Sequence, residues 1–259
     1  MLDFHSHLIP GVDDGAVDVE EARAGVAAML ADGVTGIITT PHIGASLIER
    51  GMAEPYLEKI AAGWDTLQTM VAAEFPKLRI ARGFEVMLDV PHPKLDNPIF
   101  RLGGTAFALV EFPFMNIPPN STHPLRELRD AGLMPILAHP ERYVNIEQQV
   151  GLVEHWRDAG AFMQVNAGSL LGNYGSRAKK VAWTIVEEGQ ASYVCSDYHS
   201  RGKCSMAAAF AALREKGMDM QADAFVFNAK RVIRGERPMS VEPFSGKKAR
   251  SWKKVFPWA

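Results

Sequence analysis

His5 and His7 stand two residues apart in the opening run MLDFHSHLIP. On an extended strand their imidazoles project to one face about 7 Å apart and can reach a common metal ion. The turn that follows, GVDDGA, sets Asp13 and Asp14 beside them. Capping of the next helix accounts for Asp18 but not for this pair. The pattern then recurs: an apolar run is followed at once by an imidazole or a carboxylate. GIITTPH ends at His42, LRIARGFEV carries Glu85, AFALVEFP carries Glu111, MPILAHPER carries His139, and SYVCSDYH carries Asp197 and His199. Each of these alone reads as a hydrogen-bonded buried polar residue, but the repetition at six strand ends requires a common cause. The candidate metal ligands are therefore His5, His7, Asp14, His42, Glu85, Glu111, His139, Asp197 and His199. Nine N and O donors exceed the roughly four to six positions around one ion, so they suit two or three Mn, Fe or Zn ions, with Glu85 or Asp197 able to bridge. Cys195 and Cys204 form no C-x-x-C pair, which speaks against a structural zinc site and a disulfide framework. His92, His123 and His155 follow no apolar strand and read as surface or capping residues.

The elements that must position these side chains follow from periodicity. Strands are predicted over residues 2–4, 36–40, 78–86, 106–112, 134–138, 162–165 and 192–195, and helices over 19–31, 56–74, 123–131, 147–158, 178–188 and 205–216. Such alternation is the signature of βα units around a parallel sheet. Seven strands suggest a closed or nearly closed barrel, with an open doubly wound sheet as the alternative. In a barrel the C-terminal strand ends converge, so ligands scattered over nearly 200 positions can meet. No linker or repeat interrupts residues 1–246, which are read as one domain followed by the tail 247–259, KKARSWKKVFPWA.

The 259 residues carry 28 basic and 30 acidic side chains, a net charge of -2 that excludes a generally basic nucleic-acid binder. The last thirteen residues hold five basic and no acidic groups, so the remainder is acidic at -7. That tail reads as a frayed solvated segment. Its Trp252, Phe256 and Trp258 among lysines also suit weak contact with an anionic membrane surface or a partner. No leader pattern or spanning apolar run is seen, and a soluble cytoplasmic protein is expected.

The motifs DFHSHLIPGVDDGA, TTPH, GFEV, AHPERY and SDYH resemble the PHP (polymerase and histidinol phosphatase) superfamily of metal-dependent phosphoesterases. Within it they are similar to the bacterial protein-tyrosine phosphatases of capsule and exopolysaccharide operons, from residue 1 to about residue 235. The resemblance implies an α/β fold, a distorted (β/α)7 TIM-like barrel, and two or three divalent ions. Mn2+ is the foremost of these, with Fe, Zn, Co or Mg as alternatives. It also implies hydrolysis, by metal-activated hydroxide attack on phosphorus, of phosphotyrosine in the tail of a bacterial tyrosine kinase and polysaccharide co-polymerase that regulates capsule synthesis. All nine candidate ligands match motif positions. Arg142 of HPER matches the family arginine that holds phosphate and is assigned a catalytic role with Asp197 and His199. A second phosphate-binding group follows the D-x-H motif, where Arg201 and Lys203 both stand. The runner-up is a phosphoesterase for a small molecule such as histidinol phosphate. A regulatory module that docks through its tail would have no reason to keep the full ligand set.

Cys195 and Arg201 also make a literal C-x5-R, the spacing of cysteine-dependent phosphatases. The intervening SDYHS has no glycine to form an amide cradle, and Asp197 opposes a dianion there, so Cys195 reads as a buried strand residue. The segment FPFMNIPPN after Glu111 could wall an aromatic ring or simply pack as a loop.

Overall fold

The computed structural model describes residues 1–113, 117–149 and 151–246. Part of the FPFMNIPPN segment and the whole basic tail lie outside the described residues. Among these described residues nine strands occur: β1 (Leu2–Asp3), β2 (Gly36–Thr39), β3 (His42–Gly44), β4 (Arg79–Arg82), β5 (Glu85–Met87), β6 (Phe107–Glu111), β7 (Met134–Ala138), β8 (Phe162–Asn166) and β9 (Ala191–Cys195). They pair in the orders β1-β2-β4 and β3-β5-β6-β7-β8-β9, and every pair is parallel.

Nine strands form seven lines. β2 and β3 are one line broken at Thr40 and Pro41, where proline has no N–H to give the ladder. β4 and β5 are a second, broken at Gly83 and Phe84; a Cβ at Gly83 would lie 3.0 Å from the Leu102 backbone, so the passing chain demands glycine. Pairing continues across both breaks, with Gly83 N–H donating to Thr39 O at 2.9 Å and Glu85 N–H to Pro41 O at 3.1 Å. The strand expected over 78–86 is thus two, and His42 opens a strand instead of trailing one.

The first and last lines close on each other through a parallel bridge between Ser6 and Tyr198. His7 N–H donates to Tyr198 O at 2.8 Å and Asp197 N–H to His5 O at 2.9 Å. The buried Asp3 carboxylate reinforces the seam, accepting from the backbone N–H of His5 and of Ser196, each at 3.1 Å. The result is a distorted seven-line α/β barrel.

Around it run α1 (Val19–Ala31), α2 (Ala45–Glu49), α3 (Glu54–Glu74), α4 (Thr122–Asp130), α5 (Leu152–Asp158), α6 (Ala167–Leu171), α7 (Gly175–Glu187), α8 (Met206–Glu215) and α9 (Asp219–Val232). α1 starts where expected because the Asp18 carboxylate accepts from Glu21 N–H at 2.9 Å. α5 starts later than expected, after a separate 3-10 turn over Ile146–Gln148. α2 and α6 are single turns too short to show a period. α9 follows the last strand, where the βα alternation has ended. It is not peripheral: Ala229 and Val232 join Phe4, Ile38, Leu109, Ile136 and Tyr193 in an apolar cluster. On β6, Phe107 and Leu109 belong to that cluster, and strand alternation carries Glu111 on the same face one step further. Apolar packing therefore fills one end of the strand array, and polar side chains gather at the C-terminal end. No helix among the described residues is long and apolar enough to cross a membrane.

Candidate metal centre

β1 runs into His5 and His7, β3 and β5 open with His42 and Glu85, β6 ends in Glu111, β7 runs into His139, and β9 into Asp197 and His199. His42 and Glu85 are register partners in their parallel ladder. His139 and Asp197 both take left-handed backbone, φ 35° and 52°. That conformation costs a non-glycine residue of order 1–3 kcal/mol and concentrates at functional sites.

All nine expected ligands converge. His5 Nε2 lies 3.1 Å from Glu85 Oε2 and 3.3 Å from Asp197 Oδ1, and His7 Nε2 lies 3.4 Å from each of the same two atoms. Neighbouring ligands on one ion with bonds of about 2.1 Å are separated by about this much. The Nε2 atoms of His5 and His7 and Oε2 of Glu85 are buried and make no hydrogen bond. A cation between them would satisfy all three. A second set adjoins the first: His42 Nδ1 is 3.1 Å from Glu85 Oε2 and 3.3 Å from Glu111 Oε1, and His139 Nε2 is 2.8 Å from Glu85 Oε1. In a third, Asp14 Oδ1 is 3.5 Å from His42 Nε2 and 3.3 Å from His199 Nε2. Glu85 belongs to the first two sets and has the geometry of a bridging carboxylate.

The imidazoles are oriented from behind. Asp197, as a carboxylate, can only accept, so Asn166 presents its amide N–H to Oδ2 at 2.7 Å. Asn166 Oδ1 then accepts from Gln164 Nε2 at 2.8 Å, which turns Gln164 Oε1 to His5 Nδ1 at 2.8 Å. His5 must therefore carry its proton on Nδ1, leaving the Nε2 lone pair for a metal. His7 is set likewise by Asp13 Oδ2 at 2.9 Å from Nδ1, and His199 by the Asp197 carbonyl at 3.0 Å from Nδ1. Gly15 makes the first of these possible: a Cβ there would lie 2.1 Å from His7 O, so only glycine lets the Asp13 turn pack on His7. Tyr143 ties neighbouring strand ends together, accepting from Phe112 N–H at 2.9 Å and donating to Ala138 O at 3.1 Å. Replacing Gln164 by methionine should preserve the fold while leaving the buried His5 Nδ1–H unpaired. Metal affinity measured by titration should drop about 10–100-fold; an unchanged affinity would remove Gln164 from the centre.

The electrostatics suit cations. Burial alone would depress His5, yet the Glu85 and Asp197 carboxylates outweigh it and raise its pKa to about 9. His7 also rises well above the usual range: burial opposes this, and Asp13, Asp197 and Glu85 outweigh it. His42 rises against burial through Glu111 and Glu85. Burial pushes Glu85 and Asp197 upward, but His5 and its neighbours hold both below the ordinary carboxylate range. The field that retains protons on these rings is the one that attracts divalent ions, which displace those protons on binding.

Arg142 stands at the rim, 23% exposed, donating to Asp197 Oδ2 at 2.5 Å with its guanidinium carbon 4.2 Å from the Tyr174 ring centre. Its partner is Asp197, while the adjacent Glu141 is buried and accepts from Asn166 N–H at 2.9 Å. Arg201 and Lys203 are exposed and, with Asn173, Tyr174, Asp197 and His199, line a cavity of about 160 Å³. Cys195 is fully buried, and burial pushes its thiol well above the usual range, so it has no access to a substrate. His155 is an exposed residue of α5, whereas His92 and His123 meet on the surface. Sequence reasoning passed over Gln164, Asn166 and Tyr174. The first two stand two residues apart on β8, the one line that supplies no imidazole or carboxylate. Paired amides at a buried strand end were the available signal.

The family model described as capsular polysaccharide synthesis, CpsB/CapC, matches residues 1–234. The tyrosine-protein phosphatase YwqE of Bacillus subtilis (strain 168) is 31% identical over 202 residues, 77% of this chain and 78% of the relative. The tyrosine-protein phosphatase CpsB of Streptococcus pneumoniae is 29% identical over 244 residues, 90% of this chain and 98% of the relative. A chain from the crystal structures of YwqE from Bacillus subtilis and CpsB from Streptococcus pneumoniae, described as metal-dependent tyrosine phosphatases, superimposes with a TM-score of 0.79 at 25% identity, covering 94% of this chain and 98% of that one. The matched span contains every one of the nine clustered side chains, and the chain belongs to the CpsB/CapC family of capsular polysaccharide synthesis.

Proposed function

We propose that this chain is a metal-dependent protein-tyrosine phosphatase. It would hydrolyse phosphotyrosine on the cytoplasmic tail of a bacterial tyrosine kinase that regulates capsule or exopolysaccharide synthesis. The observation that carries the reading is the nine-donor cluster at the strand ends with Arg142 at its rim. The names of the relatives support the substrate class.

His5, His7, Glu85 and Asp197 would hold one ion, Glu85, Glu111 and His139 a second, and Asp14, His42 and His199 a third. Mixed N and O donors without thiolate suit Mn2+, with Fe, Zn, Co or Mg as alternatives. When bound, such ions lower the pKa of water toward neutrality and neutralise phosphate charge. Arg142 offers a planar donor fork to the phosphate oxygens, and Asp197, held by Asn166, fixes where that fork sits. Arg201 and Lys203 supply further positive charge at the adjoining cavity, which Tyr174, Asp197 and His199 also line. A phenol, with pKa near 10, leaves with little help from a general acid. The mouth also favours a side chain presented on a polypeptide. Asp14 is 67%, His42 36% and His199 27% exposed, and the adjoining cavity of about 160 Å³ is below the roughly 300–1,000 Å³ that encloses a small ligand.

The test is hydrolysis of a phosphotyrosine peptide against histidinol phosphate, before chelation, after it, and after Mn2+ is restored. Peptide turnover should be the faster, should vanish with the metal and should return with it; faster turnover of histidinol phosphate would overturn the assignment. In the same assay Arg142→Ala should lower kcat/KM about 10²–10³-fold with metal content unchanged. Metal loss in that variant would contradict a phosphate-holding role.

A further inference from the structure

A second group of ligand-type side chains lies outside the nine-residue cluster. His92 sits between Pro91 and Pro93 in the segment after β5, where two prolines limit its backbone freedom. His123 and Glu127 stand four residues apart on α4, which puts both on one face of the helix. His123 Nε2 is 3.4 Å from His92 Nδ1. Glu127 Oε2 is 3.7 Å from His92 Nδ1, and Glu127 Oε1 is 3.7 Å from His123 Nε2. A helical ion pair joins His123 to Glu127, and a ring-to-ring hydrogen bond together with Glu127 brings a ring nitrogen of His92, from another segment, to the same point. The two rings are nearly perpendicular, 87° apart with centroids 4.9 Å from each other, so they meet through nitrogens and not by stacking.

These separations are close to the roughly 3.4 Å between neighbouring ligands of a tetrahedral zinc ion with bonds of about 2.1 Å. We propose that His92, His123 and Glu127 form a mononuclear surface site for a zinc-class ion, separate from the strand-end centre. Two imidazoles and a carboxylate fill three positions. His92 and Glu127 also line a cavity of about 190 Å³, which gives water room for the fourth. All three side chains are 43–61% exposed, so an ion reaches them directly from solvent. The bound ion would clip the segment after β5 to the first turns of α4, pinning the stretch of chain between the strands that carry Glu85 and Glu111.

The test compares the Mn2+-loaded protein with a His92→Ala/His123→Ala variant and with Glu127→Gln. Each is dialysed against zinc, then assayed for metal content and for melting temperature with and without zinc. The unaltered protein should take up one more zinc per chain than the double variant and should melt higher with zinc, while the double variant gains nothing from this source. Zinc that displaces manganese from the strand ends adds equally to both and cancels in the difference. Glu127→Gln should weaken the extra site at least about tenfold, the lower bound even for loss of an outer-sphere partner. Equal zinc content and equal thermal response in all three proteins would overturn the proposal.

Discussion

Exchanging Glu85 for glutamine should all but extinguish turnover of a phosphotyrosine peptide and strip more than one metal ion per chain. Glutamine has the same shape, so the packing around this fully buried position is preserved and the loss is one of charge. Both oxygens of Glu85 are committed: Oε2 faces His5, His7 and His42 at 3.1–3.4 Å, and Oε1 faces His139 at 2.8 Å. An amide turns an N–H donor toward one of these sets and removes the negative charge from both. Lewis-acid stabilisation supplies several kcal/mol of the barrier reduction, and each 1.36 kcal/mol is tenfold in rate, so about 10³-fold or more of kcat should disappear. Metal analysis and kcat on the same preparation check this. A variant with one ion missing and near-native turnover would mean that Glu85 does not join two sites.

Chelation should abolish activity and lower the melting temperature together. A ligand present at about a hundred times its dissociation constant contributes about 2.7 kcal/mol, and for a chain of this size each kcal/mol moves Tm by about 2–4 °C, which predicts a fall of about 5–10 °C for a single ion of that affinity. The apo protein should still fold, because His5 and His7 can take up protons and compensate Glu85 and Asp197. The same protons set the sign of the pH dependence. His5 holds its proton up to about pH 9 in the metal-free site, so an incoming ion must displace it. Reloading should release protons and require less metal at pH 8 than at pH 6. Cys195→Ser should change neither activity nor its loss on chelation; activity that survives chelation and disappears in that variant would sink the metal mechanism.

The nine clustered side chains were legible because each is a charged or imidazole side chain set directly after an apolar strand, an anomaly that sequence alone displays. The number of strand lines was legible for the same reason. Less visible were the breaks within lines. Pro41 gives a hint, but the requirement for glycine at Gly83 comes from Leu102, a neighbour only in space. Gln164 and Asn166 escaped notice because neutral amides in a strand look like any half-buried polar residues; their role depends on a chain of donors that starts at Asp197, more than thirty residues away. α9 was hidden by its place after the alternation ends. The meeting of His92 with His123 lay beyond any local pattern, since one belongs to a proline-flanked loop and the other to a helix.

The seam between β1 and β9 has a consequence for how the molecule comes into being. Asp3 holds Ser196, and His7 holds Tyr198, across some 190 residues of intervening chain. During synthesis the first of the clustered side chains to emerge, His5 and His7, therefore wait until the ninth strand exists before they acquire Asp197 and a closed wall. Contacts this distant in sequence are slow to form, so metal capture belongs to the end of folding. An ion offered before the seam closes would meet His5 and His7 without Asp197, so metal selection would fall to the finished fold.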